Sequence, residues 1–338
     1  MTIFSRPTAR ATLGCLLLWV IHMSCHAGDP SAPAAPTSEI AASGTPPVGT
    51  VFQSVLDLNQ KPGPFVPQLR NGVDANSTDW PVSFFASWKG AGAFVGCTAA
   101  LVGAEVLLTA AHCVPADHTL SFQFGITTYS SDCDLNTDYL RANPDASADF
   151  ALCLLRTPFA LPAGYRFETI ATPTLDSVIG ISLVLTGYGC TDNLVNVGIP
   201  DGKYRIGVNS IIQTSNSPAP QPPFSAAYYR PSELNNLLTG NAGANICPGD
   251  SGGPAFQIVA GPEQGQQYPN RLLIGVNSRV VYADASHLFW GPSLISATGG
   301  PSFRAWAIAW ANGKNGQKKT VAICGLAGAP AHCRGSGA

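Results

Sequence analysis

Charge is scarce in this chain. Asp, Glu, Lys and Arg make up only 11% of its 338 residues, and 18 basic residues against 20 acidic ones leave a formal charge of −2. There is no basic block or Arg-Gly-Gly run, so binding driven by nucleic-acid phosphates is excluded. No apolar run reaches the ~20 residues a membrane-spanning helix needs. No Cys-x-x-Cys pair occurs and no His/Cys set has ligand spacing, which argues against structural zinc. No acidic loop stands out as a calcium site. Neither a metal nor a cofactor is expected, and no internal repeat is visible.

Hydrophobic residues are plentiful at 45%, enough to bury a substantial core, and 35 Gly with 28 Pro mark a turn-rich chain. Residues 1–27 read as a secretory signal: Arg6 and Arg10 form a basic start, residues 15–21 a short apolar stretch, and Cys25-His26-Ala27 a small-residue exit. Residues 28–68 are rich in Pro, Ala, Ser and Gly at first, then mixed, and read as a disordered pro-segment. Of ten Cys, two lie in the signal; the eight that remain suit four disulfides in an oxidising compartment. Secretion or export to a periplasm is therefore expected.

From about Leu69 short apolar runs recur between Gly, Pro, Asn and Asp: 82–85, 97–102, 106–108, 150–155, 181–185 and 272–276. Their length and spacing predict an all-β barrel or sandwich. Residues 213–224 read as an exposed loop, and 302–311, with Phe303, Trp306, Ile308 and Trp310, as a short C-terminal helix.

Three segments carry chemistry: Leu108-Thr109-Ala110-Ala111-His112-Cys113, Asp149-Phe150-Ala151-Leu152-Cys153, and Cys247-Pro248-Gly249-Asp250-Ser251-Gly252-Gly253-Pro254. A serine hydroxyl is a poor nucleophile until a base takes its proton. Imidazole titrates closest to neutral pH, which makes His112 the candidate base. Asp149, directly before an apolar run, suits the shielded carboxylate behind the ring. Asp132, Asp134, Asp138 and Asp145 are rivals, but their polar surroundings predict that they face water.

These segments resemble the His, Asp and Ser boxes of the chymotrypsin–trypsin family, in that family's chain order. The resemblance implies two packed six-stranded antiparallel β-barrels with a short C-terminal helix. It implies a domain over 69–312 (barrels at about 69–170 and 171–312), followed by a tail at 313–338. It further implies a Ser251, His112, Asp149 triad and an oxyanion hole made by the N–H groups of Gly249 and Ser251. Gly96-Cys97-Thr98-Ala99-Ala100 is similar to the strand tied to the His loop, hence a Cys97–Cys113 bridge. Thr186-Gly187-Tyr188-Gly189 resembles the turn opening the second barrel, and Gly275-Val276-Asn277-Ser278 the strand that pairs with substrate, with Ser278 near Asp149. The activity implied is endopeptidase action on proteins or peptides by a monomer, with no membrane partner once the signal is removed.

Three departures matter. The family's usual partner for the Cys of the Ser box is missing, since 279–290 holds no Cys; Cys190 is the chosen partner of Cys247, leaving Cys133–Cys153 and Cys324–Cys333 by proximity, although eight Cys allow 105 pairings. Leu69-Arg70-Asn71-Gly72 stands where the family has its new N-terminus, whose ammonium would pair with Asp250; Gln68 before it predicts a non-tryptic cleavage, the alternative being an uncleaved chain with Asp250 satisfied by side chains. Asn245 stands at the pocket floor and Val280 on its wall, which predicts an uncharged side chain before the scissile bond; Arg279 has no account at this level. Two rival readings stay open: a catalytically silent protease-fold binding protein, and an α/β-hydrolase esterase, for which Gly249-Asp250-Ser251-Gly252-Gly253 matches the nucleophile elbow but only His287 and His332 follow it.

Overall fold

The structure is a computed structural model, and it describes residues 69, 71–75, 79–88, 96–140, 145–190, 202–217, 232–262, 269–282, 290–328 and 332–333. The expectations for the signal, the pro-segment and most of the 213–224 loop lie outside the described residues.

Thirteen strands and one helix are present among them. The first barrel is built from β2 (Ser83–Ala86), β3 (Cys97–Gly103), β4 (Val106–Thr109), β5 (Thr119–Phe124), β6 (Thr127–Leu135) and β7 (Ala151–Leu155). They pair in the order β2-β3-β4-β7-β6-β5, and the Ser87–Ser121 bridge brings the two edges nearly to closure. The second barrel uses β8 (Ser182–Gly187), β9 (Arg205–Thr214), β10 (Asn236–Thr239), β11 (Pro254–Pro262), β12 (Pro269–Tyr282) and β13 (Trp290–Ala297). It closes through β8–β9 pairing, and the two-residue β1 (Val73–Asp74) adds to β9 from outside. All strand pairs are antiparallel, and α1 (Arg304–Ala311) follows. This is the expected pair of six-stranded barrels with a short C-terminal helix.

Why the apolar runs are unbroken follows from where the strands lie. A strand points alternate side chains to opposite faces, so a one-sided sheet would alternate apolar with polar. In β3, β4 and β7 every residue is buried. Leu101, Leu107, Cys153 and Leu155 fill the first barrel, while Val102, Val106, Leu108, Leu152 and Leu154 form a second layer with Phe256, Leu273, Trp310 and Ile323. The second barrel repeats the device: Leu183, Leu185, Ala255 and Ile274 face its interior, and Val184, Phe256, Leu273 and Val276 face the shared layer. Each fully buried Leu in these layers contributes about 1.5–3 kcal/mol over an exposed one.

Residues 313–328 and 332–333 are part of this packing. Val321 and Ile323 join the shared layer; Cys324 and Cys333 join the first barrel's core. The barrel junction also holds a fully buried ion pair between Arg271 of β12 and Glu168, with the guanidinium 3.7 Å from the Trp80 ring centroid. Removing one partner of such a pair costs about 3–5 kcal/mol.

Candidate functional site

The site is laid where β4, β7, β12 and the Ser251 loop converge. Leu108 and Thr109 end β4, and a single 3-10 turn, Ala111–Cys113, presents His112. The Cys97–Cys113 disulfide anchors that turn to β3. Asp149 stands two residues before β7, which pairs with β4 so that Thr109 faces Ala151. The two segments are thereby held side by side.

Asp149 is buried and receives three donors. His112 Nδ1 donates to its Oδ2 at 2.6 Å, the His112 backbone N–H to its Oδ1 at 2.9 Å, and the Ser278 hydroxyl to Oδ2 at 2.6 Å. Burial pushes the Asp149 carboxyl up, but the charge and hydrogen bond of His112, then the Ser278 bond, hold it below the ordinary carboxylate value. His112 keeps about a third of its side chain exposed (35%). Burial pushes its imidazole down; the charge and hydrogen bond of Asp149 outweigh that and raise it, with Arg279 opposing. Nε2 lies 3.8 Å from the Cys113 sulfur and makes no hydrogen bond to an oxygen or nitrogen among the described residues.

The loop bearing Ser251 is clamped from both barrels. From the first, the Thr98 N–H donates to Ser251 O (2.7 Å) and the Thr98 hydroxyl to Gly249 O (2.9 Å). From the second, Gly252 N–H donates to Asn277 O (2.8 Å), and Asn277 Nδ2 donates to Asp250 O (3.1 Å) and Thr186 O (2.8 Å). Gly252 sits at φ +78°, and a Cβ there would collide with the Thr109 hydroxyl and the Thr98 carbonyl, so the loop lies directly on the strand end that carries His112. Gly249 has φ +99°, a conformation that glycine adopts readily. Its N–H and that of Ser251 donate to no group among the described residues. The Ser251 hydroxyl makes no hydrogen bond to His112 there either, so the structure joins His112, Asp149 and Ser278 by hydrogen bonds and brings Ser251 to them through its backbone.

Asp250 is fully buried under the turn at 187–189. Its Oδ1 accepts from Gly189 N–H (2.8 Å) and its Oδ2 from Cys247 N–H (2.9 Å). Burial pushes this carboxyl up to about 7, against the pull of those two N–H groups and of the Arg205 charge. Leu69 lies at φ +40° with its side chain wholly buried among Ala244, Ile246 and Leu185 of the second barrel. Disulfides join Cys190 to Cys247, Cys133 to Cys153 and Cys324 to Cys333.

Around the expected pocket, Asn245 is wholly buried and its amide is engaged inside the protein. Its Oδ1 accepts from Thr239 Oγ1 (2.7 Å), Ser293 Oγ (3.0 Å) and Ser293 N–H (3.1 Å); its Nδ2 donates to Gly240 O and Gly243 O (3.2 Å each). Val280, next to Arg279 in β12, is half-buried and pairs with Ser293. Arg279 forms a two-pronged pair with the buried Glu233, at 3.1 and 2.9 Å, and also reaches Asn236. Asp145 departs from the water-facing expectation. It is buried, accepting from Ser147 and from Leu234 N–H and Asn235 Nδ2, and so ties the approach to Asp149 onto the second barrel. Sequence reasoning missed Glu233 and the roles of Asn277 and Thr98, since the partners that define those roles lie far away in sequence.

Comparison with known proteins agrees with this geometry. The family model for trypsin matches residues 69–291. Brachyurin of Leptuca pugilator is 26% identical over 237 residues, covering 62% of this chain and 93% of that protein. Trypsin alpha of Drosophila erecta is 26% identical over 237 residues (64% and 78%), and a vitellin-degrading protease of Bombyx mori 28% over 197 (55% and 70%). Two antiparallel barrels meeting at a serine loop, with the family match spanning both, place the chain in the trypsin family, and it is a serine endopeptidase.

Proposed function

We propose that the chain cleaves peptide bonds with Ser251 as nucleophile, His112 as general base and Asp149 as the carboxylate that orients it. The observation that carries this reading is the Asp149 carboxylate, buried and bound to the His112 ring at 2.6 Å. That bond fixes the proton on Nδ1 and leaves Nε2 as the basic nitrogen. Nε2 takes the Ser251 proton as Oγ attacks the substrate carbonyl. The imidazolium formed is stabilised by Asp149, then gives its proton to the departing amine. Water repeats the sequence in reverse on the acyl-enzyme. The unengaged N–H groups of Gly249 and Ser251 receive the oxyanion, each donor being worth about 3 kcal/mol of barrier.

The Asn245 amide, held by internal partners, offers no charge to a substrate, so an uncharged side chain before the scissile bond is preferred, with Ser278 and Val280 along its path. Residues 1–27 direct export, which four disulfides suit. Residues 28–68 act as a pro-segment removed near Gln68–Leu69, freeing a terminus to pair with Asp250; the buried Leu69 side chain supports a terminus seated against the second barrel. N-terminal sequencing of active enzyme that begins well before Leu69 defeats the last point. The enzyme acts as a monomer on protein or peptide substrates.

A peptide-library cleavage profile beside a Ser251→Ala control tests the whole reading. Cleavage by the parent and its loss in the control are expected, with labelling of Ser251 by an organophosphate. The absence of a Ser251–His112 hydrogen bond among the described residues favours the second reading, a silent binding protein. Failure of both cleavage and labelling in processed protein selects it.

A further inference from the structure

We infer that Thr98 is a positioning residue for the oxyanion-binding loop, its hydroxyl setting the conformation of Gly249 from the opposite barrel. The inference rests on the reading above, that Gly249 and Ser251 N–H groups bind the oxyanion. Thr98 lies in β3 and is wholly buried. Its hydroxyl has two partners: it donates to Gly249 O at 2.9 Å and accepts from Tyr188 N–H at 3.0 Å. Its own N–H donates to Ser251 O at 2.7 Å, and its carbonyl accepts from the Thr109 hydroxyl at 2.9 Å.

One residue, through its hydroxyl and its backbone, thus ties together three separate parts of the site. Through Tyr188 it grips the 187–189 turn, whose Gly189 N–H holds Asp250. Through Gly249 and Ser251 it holds the loop. Through Thr109, and through its neighbour Cys97 bridged to Cys113, it is fixed to the segment that presents His112. Gly249 needs such a restraint. At φ +99° a glycine has no side chain to confine its ψ, so rotation there would turn the Gly249–Asp250 peptide, swing the Gly249 carbonyl away and displace Ser251 with its N–H. A hydrogen bond to that carbonyl removes the freedom. Its donor is a hydroxyl oriented by Tyr188, so the restraint is in place before substrate arrives.

The test compares Thr98→Val, Thr98→Ser and Thr98→Ala in the full, disulfide-bonded chain. Valine keeps the shape and the backbone N–H and removes only the hydroxyl; serine keeps the hydroxyl. Expected are a kcat lowered roughly 10- to 100-fold in T98V with KM changed less than about 2-fold, and recovery to within about 3-fold of the parent in T98S. A peptidyl boronate, which mimics the tetrahedral adduct, should lose affinity for T98V by about the factor lost in kcat, whereas a product peptide should not. If T98V does not fold, T98S against T98A makes the same comparison, with T98A the slow variant. Parent-like kcat in T98V, equal losses in T98S and T98V, or a change confined to KM overturns the inference. A parent enzyme that neither cleaves peptides nor takes up organophosphate instead defeats the catalytic reading on which it rests.

Discussion

Ser278 and His112 bond to the same oxygen of Asp149, each at 2.6 Å, one from the second barrel and one from the first. The carboxylate is thereby pinned across the barrel junction, and the imidazole it orients cannot rotate without disturbing β12. Ser278→Ala removes a donor to a charged acceptor, a bond worth about 1.5–3 kcal/mol. The expected outcome is a loss of about 10-fold in kcat/KM, carried by kcat. Steady-state kinetics on one peptide substrate checks it, and an unchanged kcat would place the Asp149 orientation elsewhere.

The pH profile follows from the same pair. Catalysis needs neutral His112, and its imidazole is raised, so kcat/KM should climb with an apparent pKa above the ordinary 6.5. Two charged groups act on the ring, Asp149 from the segment before β7 and Arg279 from β12. Arg279 disfavours the imidazolium. Replacing it in Arg279→Gln removes that opposition and leaves the Glu233 carboxylate without its two-pronged partner. Both changes favour the imidazolium, so the acid limb should move to higher pH. A shift to lower pH would show that the guanidinium does not act on the ring.

Much of this was readable in the chain because barrel strands buried on two faces leave unbroken apolar runs. Runs 97–102, 106–108 and 150–155 fall in β3, β4 and β7 for that reason. Strands β5 and β6 carry no such signal: β6 is mostly Thr, Ser and Asp, half-exposed along one face, and it is held by its neighbours rather than by its own hydrophobicity. In β9 and β13 buried Asn209 and Ser293 interrupt the pattern because their polar groups are satisfied inside the second barrel, Asn209 donating to Gly240 O and Ala244 O and the Ser293 hydroxyl to Asn245 Oδ1. The His, Asp and Ser boxes stood out because their chemistry depends on adjacent residues. Glu233, Thr98 and Asp145 did not, since each gains its role from partners far away in sequence: Arg279, Gly249 and Asn235.

Cys190 and Cys247 tie the 187–189 turn to the loop that bears Ser251, across a sequence separation of 57. Closing a loop of that length restrains the unfolded chain by about 4 kcal/mol in the chain-entropy account. The double variant Cys190→Ser, Cys247→Ser should lose stability on that order in urea unfolding. It should also lose activity under conditions where it remains fully folded, because the Cys247 N–H donates to Asp250 and the turn's Gly189 N–H does the same. Full activity in the folded variant would show that the hydrogen bonds alone hold the loop.

Asp250 gives the last prediction its sign. Burial is the largest influence and raises the carboxyl to about 7, well above its unfolded value of 3.8. Between those two values the folded state binds the proton and the unfolded state does not. The group's contribution to stability is therefore fully present below the unfolded pKa and is lost as pH rises through about 7, with a slope of at most about 1.4 kcal/mol per pH unit. Asp250→Asn cannot titrate. In the unprocessed chain, where no terminal ammonium faces Asp250, the difference in unfolding free energy, parent minus Asp250→Asn, should fall from pH 4 to pH 7 and then level off. Other groups titrate alike in both proteins and cancel. Ionisation has a second consequence, since only the carboxylate can accept from Gly189 and Cys247 N–H with both oxygens unprotonated. Above pH 7 the loop is thus held by two full acceptors, though at greater cost in burial. A flat difference across pH 4–7 would mean that these donors, with the Arg205 charge, keep Asp250 ionised throughout, and that the loop's geometry is independent of pH.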